Sequence, residues 1–389
     1  VTSNPTSRDY NKASVLHTVL SQAPLTRNKL IELTGLSKAT VSRAVEELRA
    51  DGFIVDRGVD EVTGRGRRST YLDVPDTTGH VVGISFGAQT TCVLVTDLMG
   101  REVQHVILPT VDHDEVGDAA EWLVDLIVKT SASAQGPLRQ IVVAMPARVR
   151  NGTEVFRPAE PMKIFAGSDF QRTVEDLADA PVLLDSDANA SLLKILTDDA
   201  TVRNAALFSV SSIVNFAACT DHEVARGRTP AFGNIGVLPS GVDDETLDGL
   251  MSTRGLLQFC RGRGLDLERI EDLWLEPHHG ASRAEVLEAF TTAIVTAVSA
   301  AVVTLDPDSV YFVGRLRPLV DEVLPEVRTR LDHSLPTVPT IKTSTQEIGL
   351  STARGAVYAC LVIVQNRLRD AVLEARRQGR RTDQSAPVF

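Results

Sequence analysis

The sequence predicts a mixed α/β chain in two parts, a small helical head closed by a β-hairpin and a larger body of strands and helices. Three observations lead there. At roughly 100–200 residues per domain, a chain of 389 residues holds two or three domains. The composition, 43% apolar and 23% charged with a mean hydropathy of 0.00, is that of an ordinary globular protein. The charge, finally, is divided. The whole chain carries −11, yet residues 1–75 hold eleven basic and nine acidic side chains, a net +2, which leaves −13 for the remainder. Local rather than total charge decides whether a surface can approach phosphates, so the head suits a polyanion and the body does not.

In the head, Asn11–Leu20 places Val15, Leu16, Val19 and Leu20 on one helical face. Thr26 is placed to cap a second helix through Leu33, with Gly35 as its stop. Ser37 caps a third, in which Val41, Ala44, Val45 and Leu48 follow the i, i+3, i+4, i+7 spacing. Only Thr34-Gly35-Leu36 separates the last two helices, the tight connection of a helix-turn-helix. Phe53–Asp56 and Thr70–Val74 read as two strands joined by the loop Gly58–Ser69. The polar face of the third helix carries Ser37, Lys38, Ala39, Thr40, Ser42 and Arg43, short side chains and long cations where a recognition helix meets the major groove. Arg27 adds a cation at the second helix, and Arg65, Arg67 and Arg68 form a glycine-spaced strip suited to phosphates or a narrow minor groove. Double-stranded DNA is the partner these ten residues predict.

This head resembles the winged helix-turn-helix of bacterial repressors, in particular those of the ROK family (repressors, open reading frames and kinases). The resemblance rests on the run Leu36 to Leu48, on Gly52-Phe53-Ile54 and on Gly64-Arg65. Past a break at Pro75–Gly79, the body supplies strands at Val81–Phe86, Thr91–Thr96 and Glu102–Leu108, a helix at Val116–Ser131 and a strand at Gln140–Met145. That order resembles one lobe of the actin-like, ribonuclease H-type sugar kinases on which the ROK body is built. A second lobe is expected from Asn204, with strands Ala205–Val210, Ile213–Cys219 and Ser309–Val313. The expected division is 1–76 for the head, 77–203 for the first lobe joined by a C-terminal helix 351–373, and 204–350 for the second. Residues 374–389 are polar and aperiodic and are expected to be a disordered tail.

Set against the ROK kinases, the motifs of catalysis are altered. Where the family has an Asp and two glycines, this chain has Ser85, Phe86, Gly87, Ala88 and Gln89. The turn Ser211–Ala218 contains no glycine, although glycine alone lets backbone N–H groups meet phosphate without a Cβ clash. Gly314-Arg315 stands for a later pair of glycines. Asp187, in Asp185-Ser186-Asp187-Ala188-Asn189-Ala190, occupies the position of the general base. It can abstract a proton, accept hydrogen bonds from a bound hydroxyl, or simply be a solvated or capping Asp at the start of the helix Ala188–Leu196. Asn234 and Val237 replace the family's sugar-binding Glu and its sugar- and zinc-binding His. The segment Gly241–Leu250 lacks the cysteines of the zinc loop, and Met162–Gly167 only faintly echoes a sugar-contacting segment.

The resulting expectation is a non-enzymatic transcriptional regulator, a repressor acting as a homodimer or homotetramer on a DNA operator. Asp187, Asn189 and Asn234 are the candidate effector-pocket residues, and a small-molecule effector is allowed but not required. No cofactor and no metal are expected: Cys92, Cys219, Cys260 and Cys360 lie far apart, and His278-His279 reads as a solvated loop pair. Ala289–Leu305, with four Thr and one Ser, reads as a core helix rather than a membrane span, and the location expected is cytoplasmic. The competing reading is a residual ATP-dependent sugar kinase of the ROK type with an accessory DNA-binding head.

Overall fold

The computed structural model describes residues 6–59, 70–156, 158–229, 231–275, 280–344 and 348–383. The head comprises α1 (Ser7–Gln22), β1 (Leu25–Thr26), α2 (Arg27–Thr34), α3 (Lys38–Ala50), β2 (Val55–Val59) and β3 (Thr70–Asp73). Local chemistry sets the boundaries. The Thr26 and Ser37 hydroxyls accept from the N–H groups of Lys29 and Thr40, and Gly35 ends α2 at φ +66°. Val15, Leu16, Leu30, Val41, Val45 and Leu48 are sealed in the head's core. Two details differ from the sequence expectation. A third strand, β1, pairs with β3, giving the antiparallel order β1-β3-β2. The hairpin also starts at Val55 rather than Phe53, because the Phe53 N–H is bound to Leu48 O at the end of α3.

The first lobe follows as β4 (His80–Phe86), β5 (Thr90–Asp97), β6 (Glu102–Pro109), α4 (Val116–Thr130), β7 (Leu138–Met145), the hairpin β8 (Arg148–Arg150) and β9 (Glu154–Phe156), α5 (Asp169–Ala178), β10 (Val182–Ser186) and α6 (Asp187–Asp198). The second comprises β11 (Ala205–Val210), β12 (Val214–Thr220), β13 (Glu223–Val224), the short helices α7 (Leu247–Met251), α8 (Thr253–Gly262) and α9 (Asp272–Leu275), then α10 (Gly280–Leu305), β14 (Ser309–Val313), α11 (Arg317–Ser334) and β15 (Thr340–Thr343). The sheets have equivalent orders, β10-β7-β4-β5-β6 and β15-β14-β11-β12-β13. In each, three antiparallel strands are extended by two parallel ones. Strand β4 is buried along its whole length, with Val82, Ile84 and Phe86 on one face and Val81 on the other, as expected when helices cover both faces of a sheet.

By length and composition α10 would suffice to cross a bilayer, with a mean hydropathy of 1.9 over its most apolar window. Its Val286, Phe290, Ile294 and Val298 are instead buried among β14, α11 and the short helices. The last helix, α12, runs Ile348–Asp383. This corrects the sequence expectation of a helix ending at 373 and a disordered tail from 374: the backbone stays helical ten residues further, through the strong helix formers Glu374 to Gln378 and on past Gly379 to Asp383. Residues 384–389 lie outside the described ones. Helix α12 packs on the first-lobe sheet and α6 with Ala353, Ala356, Val357 and Cys360, then leaves the sheet and inserts Val372 into the head's core. Gln365 Nε2 donates to Leu20 O of α1 at 2.7 Å.

Candidate nucleic-acid interface and inter-lobe site

On the head, most basic side chains are already engaged. Arg8 pairs with Glu47, Lys12 with Asp51, Lys29 with Glu32, Arg49 with Glu46 and Asp56, and Arg57 with Asp73 and Asp76. Among the described residues, Lys38 and Arg43 are the head cations that form no ion pair, and both are exposed on α3. Ala39 lies exposed beside Lys38, while Thr40 and Ser42 are half-buried along the same helix. The Ser37 hydroxyl is spent on the cap, accepting from Thr40 N at 3.2 Å. Arg27 joins the face by pairing with Glu46 of α3 at 2.7 Å. An exposed pair of this kind is worth only about 0–1 kcal/mol, so a phosphate can take the guanidinium over. Arg65, Arg67 and Arg68, and the pair His278-His279, lie outside the described residues.

In the body, the altered phosphate turns are filled by the chain's own groups. The Gly87 N–H donates to Thr90 O, and the Thr110 hydroxyl donates to Gly87 O. The Ser211 hydroxyl accepts the Arg315 backbone N–H at 3.2 Å, and the Thr253 N–H donates to Ser211 O. Gly314, at φ +112°, sits so close to Val210 O that a Cβ would meet it at 2.5 Å. The Gly87, Thr253 and Arg315 N–H groups at these turns are therefore already bonded within the chain.

Between the lobes lies a connected polar network. Arg148 of β8 is buried and reaches across to the second lobe: Nη1 donates to Asn215 Oδ1, Nη2 to Val214 O at 3.1 Å and Nε to Asn234 Oδ1 at 3.1 Å. Asn215 passes the link on, its Nδ2 donating to Asp187 Oδ1. Asp187 also accepts from the Ser209 hydroxyl at 2.8 Å and the Ala188 N–H. Asp187 is thus neither a solvated residue nor the helix cap, since Ser186 caps α6. Burial pushes the Asp187 carboxyl above the usual carboxylate range, and its hydrogen bonds offset this only in part. Asp248, which accepts the Val214 N–H, is raised for the same reason. The segment expected in place of a zinc loop folds into α7, burying Leu247 and Leu250, while Val237 is exposed.

The three candidate effector residues do not converge. Asp187 and Asn234 meet through Asn215 and Arg148, whereas Asn189, one turn into α6, donates to Asp185 Oδ1 at 2.7 Å. Asp185 in turn holds Arg226 bidentately, at 3.0 and 2.8 Å, on the wall of a cavity of about 460 Å³ beside α12. Arg148, Asn215, Asp185 and Arg226 are site residues that sequence reasoning does not select. Arg148, a cation that follows a buried strand and Pro146-Ala147 and precedes Arg150 by two residues, is the one available signal.

Comparison with known proteins follows this division. Residues 81–361 match the ROK family, and residues 9–66 match the MarR family. A putative xylose repressor from Caldicellulosiruptor sp. (strain Rt8B.4) is 25% identical over 267 residues, which are 65% of this chain and 66% of that protein. The chain thus spans just under two thirds of that relative's length. Among solved structures, a ROK family transcriptional regulator described as a homologue of the E. coli MLC protein superposes with a TM-score of 0.71 at 16% identity, covering 94% of this chain and all of that one. The ROK hexokinase of Thermus thermophilus gives a TM-score of 0.59 at 20% identity, covering 72% of this chain and 98% of its own. The first matches head and body together; the second covers the smaller share expected of a body without a head.

Proposed function

The chain belongs to the ROK family, and on that footing we propose that it is a sequence-specific DNA-binding transcriptional repressor whose body performs no phosphoryl transfer. The observation that carries this reading is the exposed, unpaired Lys38 and Arg43 on α3, in a head whose other described cations are engaged. The xylose repressors among its relatives and the MarR-type match over residues 9–66 support it. Arg43 reads a guanine edge, Lys38, Thr40 and Ser42 contact neighbouring bases or phosphates, and Arg27, Arg65, Arg67 and Arg68 hold the backbone. A single head with a net charge of +2 makes few contacts, so the working species is a homodimer or homotetramer that reads paired half-sites in the cytoplasm.

Chromatin immunoprecipitation of the tagged chain in its host tests the reading. Discrete peaks that vanish with Arg43→Ala are expected; uniform occupancy, or peaks that Arg43→Ala leaves in place, would overturn it. The sugar-kinase reading keeps one specific support, the resemblance of the body to the Thermus thermophilus hexokinase. A coupled assay with ATP and common hexoses or xylose separates the two. The expected outcome is no turnover, and turnover abolished by Asp187→Asn would favour the kinase.

A further inference from the structure

The polar groups that could hold a sugar between the lobes are occupied. Arg148 uses the acceptors of Asn215, Asn234 and Val214, and Asp187 is held by Asn215, Ser209 and Ala188. A polyhydroxylated ligand entering there would have to displace a buried guanidinium and its hydrogen bonds, leaving buried polar groups unpaired. The open space adjoins this network and shares Arg148 with it, in the cavity of about 460 Å³ bounded by β8, β10, the start of α6, the segment after β13 and one face of α12. That volume falls in the range of small-molecule sites.

We propose that this cavity is the effector site of the repressor, that it takes a small amphipathic anion with a flat apolar body, and that α12 relays its occupancy to the head. The proposal rests on the repressor reading and names the ligand class and the route of regulation. The apolar walls come from Leu183, Phe216, Phe232, Tyr358 and Val362, and the last three are partly exposed toward the opening. The polar wall decides the charge of the ligand. Asp185 already accepts from Arg226 twice, from Asn189 and from the Ser186 N–H, so it has little left for a sugar hydroxyl or a cation. Arg226 gives two of its five N–H groups to Asp185, and its side chain is 57% exposed. A carboxylate, sulfonate or phosphate head can therefore bond the guanidinium without breaking the Asp185 pair, while its apolar body covers the aromatic walls.

The route to the head is one continuous helix. Tyr358 and Val362 line the cavity, Gln365 bonds Leu20 O of α1, and Leu368 and Val372 pack in the head's core. From Tyr358 to Val372 is about 21 Å of α-helix at 1.5 Å per residue. A ligand pressed against Tyr358 and Val362 thus acts on the rod that seats the head, and it shifts the heads to the extent of its differential affinity for their arrangements.

The probe is 8-anilinonaphthalene-1-sulfonate, an aromatic anion whose fluorescence rises in apolar surroundings, titrated into the full-length chain. One saturable site per chain is expected, weakened about tenfold by Val362→Trp and by Arg226→Gln and unaffected by millimolar xylose or glucose; tenfold corresponds to 1.4 kcal/mol. Val362→Trp fills the cavity from its exposed rim and carries the test if Arg226→Gln, which strips Asp185 of its partner, fails to fold. Saturation should also slow amide exchange in Gln365–Val372 and in α1. Unsaturable binding, binding unchanged by Val362→Trp, or displacement by either sugar would overturn the site. Unchanged exchange would overturn the relay. Loss of operator recognition by the wild-type chain would instead refute the repressor reading and leave these binding results standing.

Discussion

Arg148 brings one buried positive charge to a site that holds two carboxylates, Asp187 and Asp248. Removing one partner from such a network strands the others, so Arg148→Ala should lower unfolding stability by roughly 3–5 kcal/mol in denaturant titrations at neutral pH. A loss within the error of the measurement would show that the network is not closed by this residue. The raised carboxyl groups give a pH dependence of definite sign. A carboxyl whose folded pKa lies above its unfolded value contributes stability at low pH and loses it as pH rises through the folded value. Melting temperature should therefore fall as pH climbs above the ordinary carboxylate range, and Asp187→Asn, which cannot ionise, should flatten that fall. An identical slope in the variant would assign the effect elsewhere. The sequence singles out Asp187 and Asn234 but not the link between them, since Asn215 and Asn234 stand 67 and 86 positions from Arg148. Their meeting depends on how two lobes close, and no local pattern encodes it.

At the scale of elements, the head is almost fully legible because its limits are set by neighbours in sequence. Thr26, Ser37 and Gly35 each act within four residues of their own position. Strand β1 escapes the sequence pattern because a two-residue strand has no periodicity of its own and exists only through pairing with β3. The end of α12 is hidden because its outer turns carry no apolar stripe, while their helix-forming residues extend the coil regardless. The same helix allows a direct prediction. Val372→Asp, which puts a charge in the head's core, should unseat the head and split thermal unfolding into two transitions, with the body's transition unchanged. A single cooperative transition at the wild-type temperature would mean that α12 does not fasten the head. The hairpin loop is tested separately: neutralising Arg65, Arg67 and Arg68 should flatten the salt dependence of DNA binding by about 0.9 log units for each phosphate that the loop neutralises in the wild-type complex. An unchanged slope would show that the loop binds no phosphate.

For the molecule as a whole, the two lobes share one strand order, which the alternation of strands and helices suggests only through its resemblance to the ROK body, and which leaves β8, β9 and β15 unread. The division of charge into +2 and −13 acquires a spatial meaning in this fold. The acidic body should be repelled by a duplex, so contact is expected to fall to the head, whose seat α12 packs against. Lys38 and Arg43 are then expected to read DNA sequence in a multimer. Enrichment of random-sequence duplexes by the full-length chain, run beside a Lys38→Ala/Arg43→Ala variant, tests it most directly. A two-fold symmetric motif with half-sites about one helical turn, or a multiple of it, apart is expected, and it should be absent with the variant, because each good bidentate base contact is worth ~1–3 kcal/mol of discrimination. No enriched motif, or a motif the variant retains, would contradict it.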